Sequence, residues 1–184
     1  MATSPSVEPG LPNERRPHPA VGPRALRVLR ADYANPEHAR ALSSLLDVYA
    51  RDVMGGGKPL SAYVLDNVAP ELAKRPQAFS VLAFAGAEPA GLVNCIEGFS
   101  TFACKPLVNV HDVVVHPAFR KLGLARRMLD EVERIARERG CCKLTLEVLQ
   151  GNVPAIRLYK EVGFVGYQLV DSMGQAMFLQ KSLA

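Results

Sequence analysis

The sequence predicts a mixed α/β or α+β sandwich, and three observations carry that expectation. Strand-like and helix-period segments follow one another in the order β-α-α-β-β-β-α-β-α-β-β, an arrangement that lays helices on a sheet. The helical segments are amphipathic, each with one apolar stripe to bury against such a sheet. No run approaches the ~20 apolar residues needed to span a bilayer. With 184 residues, of which 48% are hydrophobic and 22% charged, the chain has the composition of an ordinary soluble globular protein. One domain, 25–184, is expected, large enough for a proper core.

The elements follow in order. Residues 1–24 are rich in proline and poor in large apolar side chains, so they bury too little to offset their ordering entropy and are expected as a disordered tail. Residues 25–30 alternate apolar and basic and predict the first strand. Pro36 opens a helix whose Leu42, Leu45, Leu46 and Tyr49 share one stripe. Met54-Gly-Gly-Gly-Lys58 breaks the chain, and a second helix is expected over 60–74 with Leu65, Val68 and Leu72 apolar.

Strands at 78–84 and 91–97 flank a turn at Gly86-Ala-Glu-Pro89, and 107–115 predicts a third strand of this set. The helix over 122–139 ends at Gly140, a suitable residue past a C-cap. Residues 142–149 alternate as a strand. Asn152 is an N-cap candidate for a short helix over 154–162, closed by Gly163. Segments 164–170 and 176–180 predict a final antiparallel pair.

Charge and cysteine usage narrow the function classes. A net charge of +4 favours an anionic ligand such as a nucleotide, but no Lys/Arg block or interleaved aromatic stripe points to nucleic acid. Cys95, Cys104, Cys141 and Cys142 lack metal-ligand spacing and are expected as reduced, packing thiols. No metal site is expected. The N-terminal segment has the pattern of neither a secretory signal nor a transit peptide, so the cytoplasm is the expected compartment and no membrane partner is foreseen.

One stretch carries most of the chemistry. Val113-Val-Val-His-Pro117 reads as a strand stopped by proline, followed by Ala118-Phe-Arg-Lys-Leu-Gly-Leu-Ala125 and the start of a basic helix. Small residues at Gly123 and Ala125 let a ligand approach the backbone. A helix N-terminus with free N–H groups behind such a loop is an anion site suited to phosphates. The spacing Arg-x-x-Gly-x-Ala after Val-x-Pro resembles the acyl-CoA pyrophosphate loop of the GNAT acetyltransferases. A second segment, Asn152-Val-Pro-Ala-Ile-Arg-Leu-Tyr-Lys-Glu-Val-Gly-Phe164, is similar to that family's Asn-x-x-Ala-x-x-Leu-Tyr-x-x-x-Gly-Phe. Both motifs occur in the family's order. Many relatives carry Gly where this chain has Lys121, so the loop is either stiffer here or gains a phosphate contact.

The resemblance covers 25 to the C-terminus and implies a mixed, mostly antiparallel central sheet flanked by helices. It implies acetyl-CoA as co-substrate and direct transfer to a small amine in a ternary complex, with no metal. Backbone N–H groups of Leu122, Gly123, Leu124 and Ala125 would hold the pyrophosphate, aided by Arg120, Lys121 and Arg126. Val113, Val114 and Val115 would offer strand backbone to the pantetheine arm, and Asn152 would contact it. Tyr159 would protonate the departing thiolate.

For proton removal two candidates stand. His111 aligns with a histidine that serves this purpose in one branch of the family, and simple alternation puts it on one face with Asn109 and Val113. Glu97 is the rival. Gly55, Gly56, Tyr63 and Phe99 are the expected acceptor contacts, the glycine loop acting as a lid. Each residue also has a bland role: Gly123 and Ala125 as packing positions, Tyr159 as a buried tyrosine, His111 bonded within its strand, Asp112 as a structural acceptor, Asn152 as a cap. An acyl-CoA-binding regulatory module without turnover, acetylation of a protein amine and a nucleic-acid binder are the competing functions. A homodimer is compatible with all of them.

Overall fold

The computed structural model describes residues 25–168, 170, 172, 174 and 176–183. The expected tail, 1–24, lies outside the described residues. A five-stranded sheet runs in the order β1-β2-β3-β4-β5, where β1 is Leu26–Arg30, β2 Ala78–Ala85, β3 Glu88–Ser100, β4 Lys105–Val115 and β5 Leu144–Leu146. The first three pairings are antiparallel, and β4 with β5 is parallel. Helices α1 (Pro36–Arg51), α2 (Ala62–Ala73), α3 (Leu124–Glu138) and α4 (Val153–Glu161) complete the frame.

Local chemistry sets the helix ends where the sequence predicts them. The Asn35 carboxamide oxygen accepts from Glu37 N–H at 2.8 Å, with Pro36 in the first turn behind it. Ser61 caps α2 through Val64 N–H, and Asn152 caps α4 through Ala155 N–H at 3.4 Å. The α1 stripe buries Ala41, Leu42 and Leu45 completely, with Leu46 and Tyr49 packed at its margin.

Two apolar layers cover the sheet. On one face α1 and α2 meet Leu82, Phe84, Leu92 and Val114. On the other, Leu124, Met128, Leu129, Val132 and Ile135 of α3, with Tyr159 of α4, meet Phe79, Val81, Val93, Val108 and Val110.

Two strand expectations are corrected. The strand foreseen over 142–149 shrinks to Leu144–Leu146, because β4 bends away at a bulge and leaves the later residues nothing to pair with. The final antiparallel pair is absent among the described residues. Ala176 N–H does reach Tyr167 O at 3.0 Å, but no ladder forms, and Met177 is 82% exposed. The three residues of β5 are too short an edge to template two further strands. Part of that pair (169, 171, 173 and 175) lies outside the described residues.

Candidate active site

The site begins with a break in the β3–β4 ladder. Asn94 pairs with Asp112 while Cys95 pairs with Val110, so His111 is an extra residue in β4. A bulge of this kind bends its strand and sharpens the twist. It also resets the alternation. Val108 and Val110 face α3 before the bulge, Val113 faces it afterwards, and Asp112 and Val114 face α1. The single face expected for Asn109, His111 and Val113 is therefore not realised. Because β5 pairs with β4 only through Val110, the far edge of Val113, Val114 and Val115 has no strand partner among the described residues. The two strands open like a V, leaving main-chain groups for an extended ligand to bond.

The anion loop sits at the end of that open edge. Pro117–Phe119 forms a short 3₁₀ turn, after which Lys121 (φ 66°) and Gly123 (φ 73°) both take the left-handed conformation. Gly123 precedes α3 without a side-chain cap, so the first-turn N–H groups of Leu124, Ala125 and Arg126 are left to a ligand. Leu124 is fully buried and pins the turn to the core, while Lys121 and Leu122 are exposed. These features fit a pyrophosphate: free donors, a helix N-terminus and nearby cations. The cations are engaged elsewhere in this state. Arg120 donates to Val115 O at 3.3 Å and pairs with Asp52 at 3.0 Å; Arg126 pairs with Glu161 at 2.8 Å.

Asp52 ties that loop to the glycine segment. Its carboxylate accepts from Met54 N–H at 3.0 Å as the N-cap of a 3₁₀ turn, Val53–Gly55. Met54 N–H first, and Arg120 second, hold its carboxyl below the usual carboxylate range. Asp52→Ala is expected to cost about 1 kcal/mol at pH 7, the worth of a lost cap. A depressed folded pKa contributes fully above the unfolded value of about 3.9 and is lost as pH falls through the folded one. Urea unfolding of the two proteins should therefore converge as the pH falls from about 5 towards 3. A constant gap would show that the charge takes no part.

Two tyrosines packed on opposite faces of the sheet come within electrostatic range of each other. Tyr159 of α4 is buried against the α3 layer, its ring edge-on to Phe164 at 5.9 Å. Burial, and then Tyr49, push its phenol up to about 12. Tyr49 comes from α1 on the opposite face; its phenol is raised by burial, then by Asp112 and Asp52. Tyr49 thus lies within electrostatic range of both Tyr159 and the Asp112 carboxylate.

Comparison with known proteins gives the family. Residues 42–164 match the model of the acetyltransferase (GNAT) family. The chain belongs to the GNAT acetyltransferase family. It is 34% identical over 133 residues to thialysine N-epsilon-acetyltransferase of Caenorhabditis elegans, covering 71% of this chain and 79% of that one. Streptothricin acetyltransferase of Streptomyces lavendulae is 39% identical over 57 residues, 31% of this chain and 30% of the relative. The crystal structure of a probable acetyltransferase superimposes with a TM-score of 0.72 at 20% identity, covering 85% of this chain and 98% of that one. The protein is thus a GNAT acetyltransferase enzyme with the family's mixed sheet. The family uses acetyl-CoA and an amine acceptor. Among the described residues no helix is long and apolar enough to cross a membrane, and no group of three His, Cys, Asp or Glu side chains is placed to hold a metal ion.

Within this GNAT frame the remaining residues fall into distinct places. His111, exposed at the bulge, makes no hydrogen bond among the described residues. Asn109 turns instead to Thr145 and Glu147. Glu97 sits on the opposite sheet face, paired with Arg139 at 2.9 Å, where that guanidinium also lies over Phe79. Gly55 packs so tightly under α1 that an added Cβ would meet Tyr49 O at 2.0 Å, and Gly56 (φ 109°) forms the turn beyond. Tyr63, 72% exposed, opens α2; Phe99, 59% exposed, lies opposite Pro106 at the closed end of the V. Asn152 caps α4.

Sequence reasoning passes over Tyr49, legible only as the last apolar member of a helical stripe, and reads Asp112 as a structural acceptor. The Asn94–Cys95 bulge turns Asp112 to the α1 face. The four cysteines are free thiols; burial pushes Cys95 far above the usual thiol range.

Proposed function

We propose that this enzyme moves the acetyl group of acetyl-CoA to the primary amine of a small molecule by direct attack in a ternary complex. The observation that carries the proposal is the β4 edge beyond Val110, which has no strand partner among the described residues and leads to the left-handed turn before α3. Acetyl-CoA supplies an activated thioester. The chain supplies the rest. N–H groups at Leu124 to Arg126 hold the pyrophosphate, with Arg120, Lys121 and the Asn152 turn alongside. Backbone groups of Val113–Val115 hold the pantetheine arm, and one N–H there polarises the thioester carbonyl; a donor of this kind is worth about 2.7–4 kcal/mol.

Tyr159 keeps its proton through the working pH range and gives it to the departing sulfur. His111 takes the proton of the incoming ammonium, directly or through water. Its exposure beside the opening supports that role, whereas the ion pair of Glu97 with Arg139 counts against the rival. The thialysine acetyltransferase, named for a small amine, supports the acceptor class. Gly55, Gly56 and Tyr63 line the entrance from the α1–α2 side.

Calorimetric titration with acetyl-CoA, followed by thiol release over a panel of small amines, tests the proposal. Binding with turnover on one amine class is expected. Binding without turnover on any amine would sink it in favour of a regulatory module or a protein acceptor, and no binding would remove its basis.

A further inference from the structure

A row of polar side chains crosses the apolar face beneath α1, where leucine or valine would pack equally well. Ser80 of β2, Asn94 of β3 and Asp112 of β4 are direct cross-strand partners, Ser80 opposite Asn94 and Asn94 opposite Asp112. Ser80 is 0% exposed and Asn94 5%. Tyr33, from the β1–α1 connection, completes the row with its hydroxyl 2.8 Å from Ser80 Oγ.

The direction of every bond is fixed. Ser80 Oγ donates to Asn94 Oδ1 at 2.6 Å, and Asn94 Nδ2 donates to Asp112 Oδ2 at 3.0 Å. The Ser80 proton is thus spent, so Tyr33 is the donor in its pair. Reversing the Asn94 amide would turn its carbonyl oxygen onto the carboxylate. All donors therefore point one way, towards an acceptor-only terminus.

That terminus lacks a cation. Among the described residues Asp112 makes no ion pair, while Asp47, Asp52, Glu71, Glu97, Glu131 and Glu161 each do. The Asp112 charge reaches Tyr49 on α1 and the Cys95 thiol on β3, and Arg139, the cation that also acts on Cys95, is paired with Glu97. A half-buried carboxylate held by a satisfied network but left without a counter-ion is poised to receive one from outside.

We propose that Asp112 binds the ammonium of a cationic alkylamine acceptor through its free carboxylate oxygen, and that Tyr33, Ser80 and Asn94 are positioning residues that aim it. The inference rests on the acetyl-transfer function above and narrows its acceptor to amines that arrive protonated. It places the ammonium next to His111, where proton removal is needed.

The test compares an alkylamine with an arylamine of similar size, which is neutral at the assay pH, as acceptors for wild type and variants. Asp112→Asn keeps the Asn94 bond and the shape but removes the charge. It should lower kcat/KM for the alkylamine about ten- to a hundredfold, mostly through KM, as for a lost charge-assisted hydrogen bond. The arylamine and the KM for acetyl-CoA should be nearly unaffected. Tyr33→Phe should reproduce that selectivity change at about two- to tenfold, with a modestly lowered melting temperature because buried Ser80 Oγ loses its donor. It tests the row even if Asn94→Ala fails to fold. Equal losses on both amines, or a Tyr33→Phe effect confined to stability, would overturn the proposal while leaving the acetyltransferase assignment intact. Wild type that turns over neither amine would overturn the proposal together with the function on which it rests.

Discussion

Tyr159→Phe is expected to lower kcat about 10²–10⁴-fold while leaving the KM for acetyl-CoA close to its wild-type value. The substitution removes one oxygen and keeps the ring, so the edge contact with Phe164 and the packing against the α3 layer survive. Fold stability should hardly move, because burial and the charge of Tyr49, with no hydrogen bond, account for the raised Tyr159 phenol, so its loss leaves no partner stranded. Its role is confined to the moment the thiolate departs. A group used only in the transition state affects kcat and kcat/KM together, and uniform binding is untouched. With its phenol pushed up to about 12, by burial first and Tyr49 second, the wild-type side chain stays protonated throughout an ordinary assay range. The rate deficit of the variant should therefore be constant from about pH 6 to 9. Steady-state thiol release at saturating acetyl-CoA reads both quantities. A raised KM with kcat intact would place Tyr159 in cofactor packing and return the proton donor to solvent.

Much of this molecule was legible because its signals are local. The Pro36 helix start, the Asn152 cap, the α3 stripe and the Pro117 stop are each written within a few residues. The motif from Arg120 to Ala125 likewise marks a turn into a helix N-terminus before any fold is known. The left-handed Lys121 and Gly123 show why small or flexible residues suit that turn. What stayed hidden depends on pairing between distant strands. A bulge opposite the Asn94–Cys95 step cannot be read from β4 alone, yet it moves His111 out of alternation and turns Asp112 towards α1. The Ser80–Asn94–Asp112 row is invisible for the same reason, since its members become neighbours only through register. Glu97 looked available because its partner, Arg139, lies at the end of a helix far along the chain. The terminal ladder missing among the described residues is a further long-range effect: residues 176–180 have a strand's composition but no adequate edge to meet.

Gly123→Val is expected to weaken acetyl-CoA binding about a hundredfold or more, with a loss of stability of about 1–2 kcal/mol. The stability cost comes from the backbone, because a Cβ at this position meets nothing within 4 Å. At φ 73° a β-branched residue is a true outlier, whereas the unbranched Lys121 at φ 66° shows that the loop bears one left-handed side chain. Two responses are open to the variant, and both damage the site. If the turn holds, the valine methyls stand in the open space beside the first-turn N–H groups, where a pyrophosphate must come within hydrogen-bond distance. If the turn relaxes to negative φ, the chain enters α3 at a different angle and those N–H groups no longer converge, because buried Leu124 fixes the helix behind them. Lys121→Gly is the matched control. It relieves about 1–2 kcal/mol of left-handed strain but adds roughly 0.5–1 kcal/mol of glycine entropy, so stability should change little while one cation near the phosphates is lost. Titration calorimetry with acetyl-CoA and a thermal melt of each variant separate the two effects. Tight binding by Gly123→Val would mean that the phosphates do not approach this turn, and the anion site would have to be sought elsewhere on the open edge of β4.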